Sequence, residues 1–289
     1  MTSIKVVTSH GEMAVTDTGG SGLPVLFIHG NSSSRAAFRH QFSSDLAGRH
    51  RLIAIDLPGH GESADAINPE RTYSMPGYAA AVMEVLTVLG VRQAAVYGWS
   101  LGGHVALEMV PRWPGLAGVM ITGAPPVGRG AEAILAGFSQ HPHIALVGQE
   151  VFSEDEARGF VETSLGTAAD PDLLRDALRT DGRARALMFA SLFTGGTSDQ
   201  KEIAENCPVP LAIVNGSEEP FANLAYVETL AYHNLWDGRC HVIKGAGHAP
   251  FWTAPDIFNP LLSRFVREME TGMPGVDTAP VKAPARGRA

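Results

Sequence analysis

Residues 94–103, Ala-Ala-Val-Tyr-Gly-Trp-Ser-Leu-Gly-Gly, decide the fold of this chain. Their centre, Gly98-Trp99-Ser100-Leu101-Gly102, matches the G-x-S-x-G pattern of a nucleophile elbow, in which a serine sits on a sharp turn between a strand and a helix. The flanking glycines suit such a turn because a Cβ at either position would crowd the neighbouring backbone. The pattern therefore predicts that Ser100 is a nucleophile.

The residues on either side of the elbow support this interpretation. Residues 94–98 form a short apolar run typical of a buried strand. Residues 101–112 carry Val105, Leu107 and Met109 and have the length of a helix. Strand, serine and helix thus follow one another in the order that the elbow requires.

Strands and helices alternate along the chain, which predicts parallel strands joined by helical crossovers. Continuous apolar runs predict further strands, at residues 24–28, 51–55, 116–122, 210–214 and 240–243. Apolar spacing predicts one helix through Phe38, Phe42 and Leu46, a second through Val82, Val85, Leu86 and Leu89, and helices near 222–231 and 254–269. The fold class is therefore α/β, with a mostly parallel sheet flanked by helices.

One long stretch interrupts this alternation. Residues 126–205 show helical patterns at 171–178 and 183–193 but no strand signal, which indicates a helical cap inserted over the sheet. Residues 1–125 and 206–270 are then the two parts of one core. Residues 271–289 are rich in Pro, Gly and Ala, and we expect a disordered tail there.

Composition limits the classes of function. The net charge of −8 argues against a nucleic-acid partner, because phosphate binding needs clustered Lys and Arg. No signal-peptide pattern and no membrane-spanning stretch is evident in the sequence. Cys207 and Cys240 are the only cysteines, so no disulfide framework is predicted and a cytoplasmic location is expected.

The loop after the strand at 24–28 is a candidate for an oxyanion hole. It reads His29-Gly30-Asn31, and the backbone N–H of Asn31 is the first candidate donor. The N–H of Leu101, which follows the nucleophile, is the second. The alternative is a simple loop turn.

The segment Asp56-Leu57-Pro58-Gly59-His60-Gly61-Glu62-Ser63 follows the next strand. Its glycines and proline are typical of a tight structural turn. We therefore assign it to architecture, and we interpret His60 as a structural hydrogen-bonding group rather than a base.

Two segments near the C-terminus supply a candidate acid and base. Gly245-Ala246-Gly247-His248 follows the last strand, and we predict that His248 is the general base for Ser100. Glu218 and Glu219 follow the strand before it. Glu219 stands three residues after Gly216, the usual spacing for the acid of a triad at this point, so we choose Glu219 over Glu218.

These ordered motifs resemble those of the α/β-hydrolase superfamily, in which serine, acid and histidine follow one another in this order. The resemblance runs from His29 to His248. More narrowly, the chain is similar to the metal-independent, α/β-hydrolase-type N-acyl-homoserine lactonases of bacteria. The segments that carry this similarity are residues 29–34, 73–75, 98–104, 180–185 and 215–221.

This resemblance implies quorum-quenching hydrolysis of a neutral five-membered lactone that bears an acyl-amide chain, with no metal and no cofactor. The partner expected is then a small-molecule lactone or ester. Acyl-chain preference and oligomeric state stay open. Five apolar residues are candidates for binding the substrate, although core packing is the alternative for each: Trp99, Phe138, Phe152, Phe160 and Met188.

Reasoning from the residues alone reaches only ester or lactone hydrolysis, because both reactions pass through one kind of tetrahedral intermediate. The alternatives are a general carboxylesterase, a carbon–carbon bond hydrolase with the same triad, and a non-catalytic ligand receptor. Epoxide hydrolases and dehalogenases of this fold place aspartate where Ser100 stands. A zinc lactonase would need an H-x-H-x-D-H cluster, which the sequence lacks.

Overall fold

The computed structural model describes residues 2–272, and within them the chain forms eight strands and thirteen α-helices. The strands are β1 (Thr2–Thr8), β2 (Gly11–Asp17), β3 (Val25–Ile28), β4 (Leu52–Ile55), β5 (Ala94–Trp99), β6 (Leu116–Thr122), β7 (Leu211–Gly216) and β8 (His241–Ile243). The predicted tail falls almost wholly on residues 273–289, which lie outside the described residues.

The helices divide into those that flank the sheet and those that lie between β6 and β7. In chain order they are α1 (Arg39–Phe42), α2 (Leu46–Arg49), α3 (Pro69–Thr72), α4 (Met75–Val88), α5 (Leu101–Met109), α6 (Ala131–Gly137), α7 (Glu154–Leu165), α8 (Pro171–Arg179), α9 (Gly182–Phe193), α10 (Gln200–Glu205), α11 (Leu224–Glu228), α12 (Pro250–Thr253) and α13 (Pro255–Thr271). Short 3₁₀ helices occur at Arg35–Phe38, Pro142–Gly148 and Trp236–Gly238.

All eight strands belong to one sheet in the order β1-β2-β4-β3-β5-β6-β7-β8. The strands from β4 through β3 to β8 pair in parallel, while β1 with β2 and β2 with β4 pair antiparallel. The predicted mostly parallel sheet is thus confirmed. The antiparallel pair β1–β2 at the edge was not among the predicted strands.

The side chains of β3 alternate between two apolar cores. Leu26 and Ile28 pack in the core that α4 and α5 cover, whereas Val25 and Phe27 pack in the core that α13 covers. Burial on both faces explains why the central strands read as continuous apolar runs rather than as alternating ones.

The helix predicted through Phe38, Phe42 and Leu46 is wrong as a single element. The chain forms a 3₁₀ turn, α1 and α2 in succession, although all three apolar side chains enter one core. The hydroxyl of Ser43 donates to the Arg39 carbonyl at 2.8 Å, and that of Ser44 donates to the Gln41 carbonyl at 2.7 Å. Serine side chains that bond to the backbone in this way compete with helix propagation.

The elbow has the predicted geometry. Ser100 joins β5 to α5 with φ 54° and ψ −119°, an uncommon conformation for a residue with a side chain. A Cβ on Gly102 would lie 2.0 Å from the Ile28 carbonyl oxygen, and a Cβ on Gly98 would lie 2.2 Å from the Gly102 oxygen. Glycine at both positions therefore lets α5 approach β3 and β5 closely.

We expect Gly102→Ala to lower the free energy of unfolding by at least about 2 kcal/mol, because its Cβ would meet backbone that cannot move aside. Gly48→Ala in α2 is the matched control, since no atom lies within 4 Å of its added Cβ. There the free energy of unfolding should be unchanged or raised by up to about 1 kcal/mol. Urea denaturation of the two variants measures this, and equal midpoints would contradict the tight contact.

Candidate active site

Ser100 opens onto a cavity of about 200 Å³ between the sheet and the helices that follow β6. Asn31, Leu101 and His248 line the same cavity. The structure therefore brings together the predicted nucleophile, the predicted base and both predicted oxyanion-hole residues.

His248 is held from three sides. The indole N–H of Trp99 donates to the His248 carbonyl oxygen at 2.9 Å. The Phe221 ring meets the imidazole edge-on, with centroids 4.9 Å apart. On a third side lies the backbone of Gly123, where a Cβ would stand 2.4 Å from Cε1 of His248.

Glu219 fixes the orientation of the imidazole. Nδ1 of His248 lies 2.7 Å from Oε1 and 2.8 Å from Oε2 of Glu219, whose side chain is fully buried. Oε1 also accepts from the backbone N–H groups of Phe221 at 2.8 Å and Ala222 at 3.1 Å. Burial by itself raises the pKa of this carboxyl, but the imidazole and these two donors outweigh it, so the pKa of Glu219 lies below its ordinary value.

The loops that carry the acid and the base are joined through their backbones. A Cβ on Gly216 would lie 2.0 Å from the Ala246 carbonyl oxygen, so this crossing requires glycine. The backbone N–H of Glu218 donates to the same oxygen at 2.9 Å. Glu218 itself is exposed, in contrast to the buried side chain of Glu219.

Two backbone N–H groups next to Ser100 have no acceptor among residues 2–272. They belong to Asn31 and Leu101, the two predicted oxyanion-hole residues. The Asn31 side chain is engaged elsewhere, since its Nδ2 donates to the Val147 carbonyl at 2.9 Å. This arrangement leaves the two N–H groups available to a developing oxyanion.

His29 holds the loop that carries Asn31. Its Nδ1 donates to the Gly30 carbonyl at 2.7 Å, and its Nε2 accepts from the Leu57 backbone N–H at 3.0 Å. Burial lowers the pKa of His29 to about 4, so the ring is neutral at pH 7. His60 packs beside it, 5.2 Å between ring centroids, and does not line the cavity, in agreement with a structural role.

The rest of the cavity wall is largely apolar. Phe138, Phe160 and Met188 of the predicted substrate-binding set line it. Trp99 and Phe152 lie behind this wall: Trp99 supports His248, and Phe152 packs 5.7 Å from Phe160 between ring centroids. The other apolar residues of the lining are Met75, Ile134, Leu135, Ile144, Ala145, Val147, Phe189, Leu192, Phe193 and Phe221.

Gly123 and His104 are among the cavity-lining residues to which the sequence gave no role. Gly123 follows β6 with φ +62°, and its N–H donates to Oδ1 of Asn215 at 2.8 Å. A lone glycine after a strand is a weak signal, because only the packed imidazole shows why a side chain is excluded. His104 is four residues after Ser100, and the sequence gave no sign of its contact with Gln200.

No cluster of three or more His, Cys, Asp or Glu side chains suited to a metal ion occurs in residues 2–272. Over the same residues, every helix is too short or too polar to cross a bilayer.

Comparisons with known proteins identify the family of this chain and similar structures. The model of the family described as alpha/beta hydrolase matches residues 25–261. Among solved structures, the N-acyl homoserine lactonase AidH complexed with N-butanoyl homoserine is 46% identical, with a TM-score of 0.91, over 95% of this chain and 99% of that one.

Two curated relatives are more distant. The pimeloyl-[acyl-carrier protein] methyl ester esterase of Aeromonas hydrophila is 28% identical over 86% of this chain and 96% of its own length. The 2-hydroxy-6-oxononadienedioate/2-hydroxy-6-oxononatrienedioate hydrolase of a Pseudomonas species is 23% identical over 89% of this chain and 92% of its own.

We expect Gly123→Ala to lower kcat/KM by at least about tenfold, because the new methyl would displace the His248 ring and misplace the base. Gly90→Ala is the matched control: Gly90 has φ +67°, similar to Gly123, but nothing lies within 4 Å of an added Cβ. Both variants should lose about 1 kcal/mol of stability from the left-handed backbone, and only the first should lose activity. Equal activities in the two folded variants would contradict the contact.

Proposed function

Because this chain belongs to the alpha/beta hydrolase family, we propose that it opens the lactone ring of N-acyl-homoserine lactones. Ser100 acts as the nucleophile, His248 as the general base, and Glu219 as the acid that orients the base. The chain is an ester or lactone hydrolase by its family and its structural neighbours. The triad and the acyl-homoserine substrate are the parts that we propose.

The proton path follows from the Glu219 contact. Glu219 accepts the Nδ1–H of His248, which leaves Nε2 unprotonated and able to take the Ser100 proton. The serine oxygen then attacks the lactone carbonyl, and the N–H groups of Asn31 and Leu101 stabilise the oxyanion. The imidazolium that forms is stabilised by the buried Glu219 carboxylate.

Lactone opening makes a special demand on the base. When the tetrahedral intermediate collapses, the leaving alkoxide stays tethered to the acyl group and can close the ring again. His248 must therefore return its proton to that alkoxide. Water then attacks the acyl-enzyme, with His248 again as base, and releases the open N-acyl-homoserine.

The cavity wall is the single observation that carries the choice of substrate. As far as residues 2–272 are concerned, its lining includes no Lys, Arg, Asp or Glu, and its polar side chains are grouped near Ser100. A neutral lactone with an apolar acyl chain fits such a cavity, since the ring reaches the polar groups and the chain covers the aromatic side chains. A dianionic substrate, such as that named for the Pseudomonas relative, would find no cationic side chain there.

We propose that residues 126–205 form the cap and confer acyl-chain selection. Several of the apolar lining residues belong to α6, α7 and α9 of this segment. Leu135 and Phe193 line the cavity and are also exposed, which places them at its opening. The end of an acyl chain longer than the cavity would therefore extend into solvent between or beside these two side chains.

The test is turnover of acyl-homoserine lactones with several chain lengths beside simple carboxylic esters. We expect lactone opening to exceed ester hydrolysis in kcat/KM, and Ser100→Ala to fold but lose activity by about 10³-fold or more. Ring opening is followed by mass spectrometry after subtraction of the spontaneous reaction. Fast ester hydrolysis without lactone opening would instead support a carboxylesterase, and activity retained in Ser100→Ala would reject the nucleophile.

Glu219→Gln and Glu218→Gln test the acid, since each replaces one of two adjacent carboxylates by a neutral isostere. Glu219→Gln should lower kcat by about 10²-fold or more, because the amide cannot stabilise the imidazolium and favours the wrong tautomer. Glu218 is exposed, so its variant should keep activity near that of the parent. A greater loss of kcat in Glu218→Gln than in Glu219→Gln would show that Glu218 is the acid instead.

A further inference from the structure

His104 lies beside the nucleophile but takes no part in the triad. It belongs to α5, four residues after Ser100, and its backbone N–H donates to the Ser100 carbonyl at 3.2 Å. Ser100 stands just before this helix with a non-helical backbone, and the bond to its carbonyl places His104 one turn further along the chain. The His104 ring is buried in the protein and lines the cavity that Ser100 opens onto.

A hydrogen-bond network fixes which ring nitrogen carries the proton. Nδ1 of His104 is 2.7 Å from Oε1 of Gln200. The Gln200 amide cannot be turned around, because its Nε2 donates to Oε1 of Glu108 at 3.1 Å and to the His104 carbonyl at 3.3 Å. Glu108 is in turn paired with Arg112 at 2.7 Å. The Gln200 oxygen therefore accepts, and Nδ1 of His104 must be the donor.

Nε2 is then an acceptor without a hydrogen-bond partner in the described part of the chain. No hydrogen bond from residues 2–272 reaches it, and it is not among the fully enclosed polar atoms that lack a partner, so it keeps access to the cavity. Burial lowers the pKa of His104, which keeps the ring neutral near pH 7 and its Nε2 lone pair free. A lone acceptor in an apolar cavity is costly unless a ligand supplies a donor.

We propose that Nε2 of His104 accepts a hydrogen bond from the amide N–H of the acyl-homoserine lactone, so that His104 is a specificity-determining residue for this reaction. The inference rests on the proposed function. The amide nitrogen is two bonds from the lactone carbonyl carbon, which must lie within about 3–3.5 Å of the Ser100 oxygen in order to react. Ser100 and His104 line the same cavity and lie one turn apart along the chain, so one lactone can meet both side chains.

This assignment separates acyl-homoserine lactones from other neutral lactones and esters. A lactone without the amide N–H fits the same cavity but leaves Nε2 unpaired when it displaces water. Its kcat/KM should therefore be lower, even though the reacting bond is the same. Of the substrate's groups, the amide N–H is the only hydrogen-bond donor.

The experiment compares two substrates on one enzyme sample: N-hexanoyl-homoserine lactone and its carba analogue, in which a methylene replaces the amide N–H. The wild type should prefer the amide by about tenfold or more in kcat/KM. His104→Phe, which keeps a ring of similar size without an acceptor, should prefer it by less than about threefold. His104→Gln offers an amide oxygen in place of Nε2 and should restore part of the preference.

The preference is a ratio, so it is independent of the fraction of each variant that is folded. A structural role of His104 in holding Gln200 would lower both rates and leave the ratio unchanged. An unchanged ratio in His104→Phe, or the absence of a preference in the wild type, would overturn the inference while ring opening itself still supports the proposed function. Failure of the wild type to open either lactone would overturn both.

Discussion

The close approach of Gly102 to the Ile28 carbonyl oxygen is the constraint on which the site depends. It draws the N-terminus of α5 against the end of β3, and thereby places the loop of Gly30 and Asn31 beside Ser100. A Cβ on Gly30 would lie 3.2 Å from the Ser100 Cβ, so the two loops are in near contact. A similar close backbone contact occurs at Gly216, which packs against the Ala246 carbonyl. This contact joins the loop of Glu219 to the loop of His248. The relative positions of the loops that carry Ser100, Asn31, Glu219 and His248 are therefore set by backbone contacts.

The parallel strands could be predicted because both of their faces are buried. Such strands carry apolar side chains at every position, and this unbroken run is easily recognised in a sequence. The pair β1–β2 escaped prediction because it lies at the edge of the sheet, where one side is exposed. Lys5 and Val7 point to solvent while Val6 is buried, so β1 lacks the continuous apolar run that identified the central strands. Around Phe42, by contrast, the sequence predicted a continuous helix that the structure does not contain. The periodicity correctly identified the buried side chains, but the hydroxyls of Ser43 and Ser44 broke the element that should have carried them.

The order of Ser100, Glu219 and His248 was visible in the sequence because each follows a strand within a few residues, and the carboxyl ends of parallel strands meet at one edge. What Gly123 and His104 contribute could not be read in the same way. Gly123 matters through a ring that lies 125 residues further on, and His104 through an amide 96 residues away. Local spacing carries no information on such contacts. The choice of Glu219 over Glu218 was partly predictable. Its spacing from Gly216 indicated Glu219, and the burial of the Glu219 side chain supports that choice.

The loop that carries Asn31 and Ser32 is also hydrogen-bonded to the proposed cap. Asn31 donates to the Val147 carbonyl, and the guanidinium of Arg185 on α9 donates to the Gln149 carbonyl at 2.6 Å, to the Glu150 carbonyl at 2.8 Å and to the Ser32 hydroxyl at 3.3 Å. Burial lowers the pKa of Arg185 to about 10, and the side chain remains charged at pH 7. These bonds are made to uncharged groups, so their benefit lies in holding backbone carbonyls of the proposed cap against the loop of Asn31 and Ser32. A movement of this part of the cap would shift Ser32, whose φ of 53° is already uncommon, and with it the adjoining Asn31 N–H. Substrate is therefore expected to enter past Leu135 and Phe193, which these bonds do not restrain.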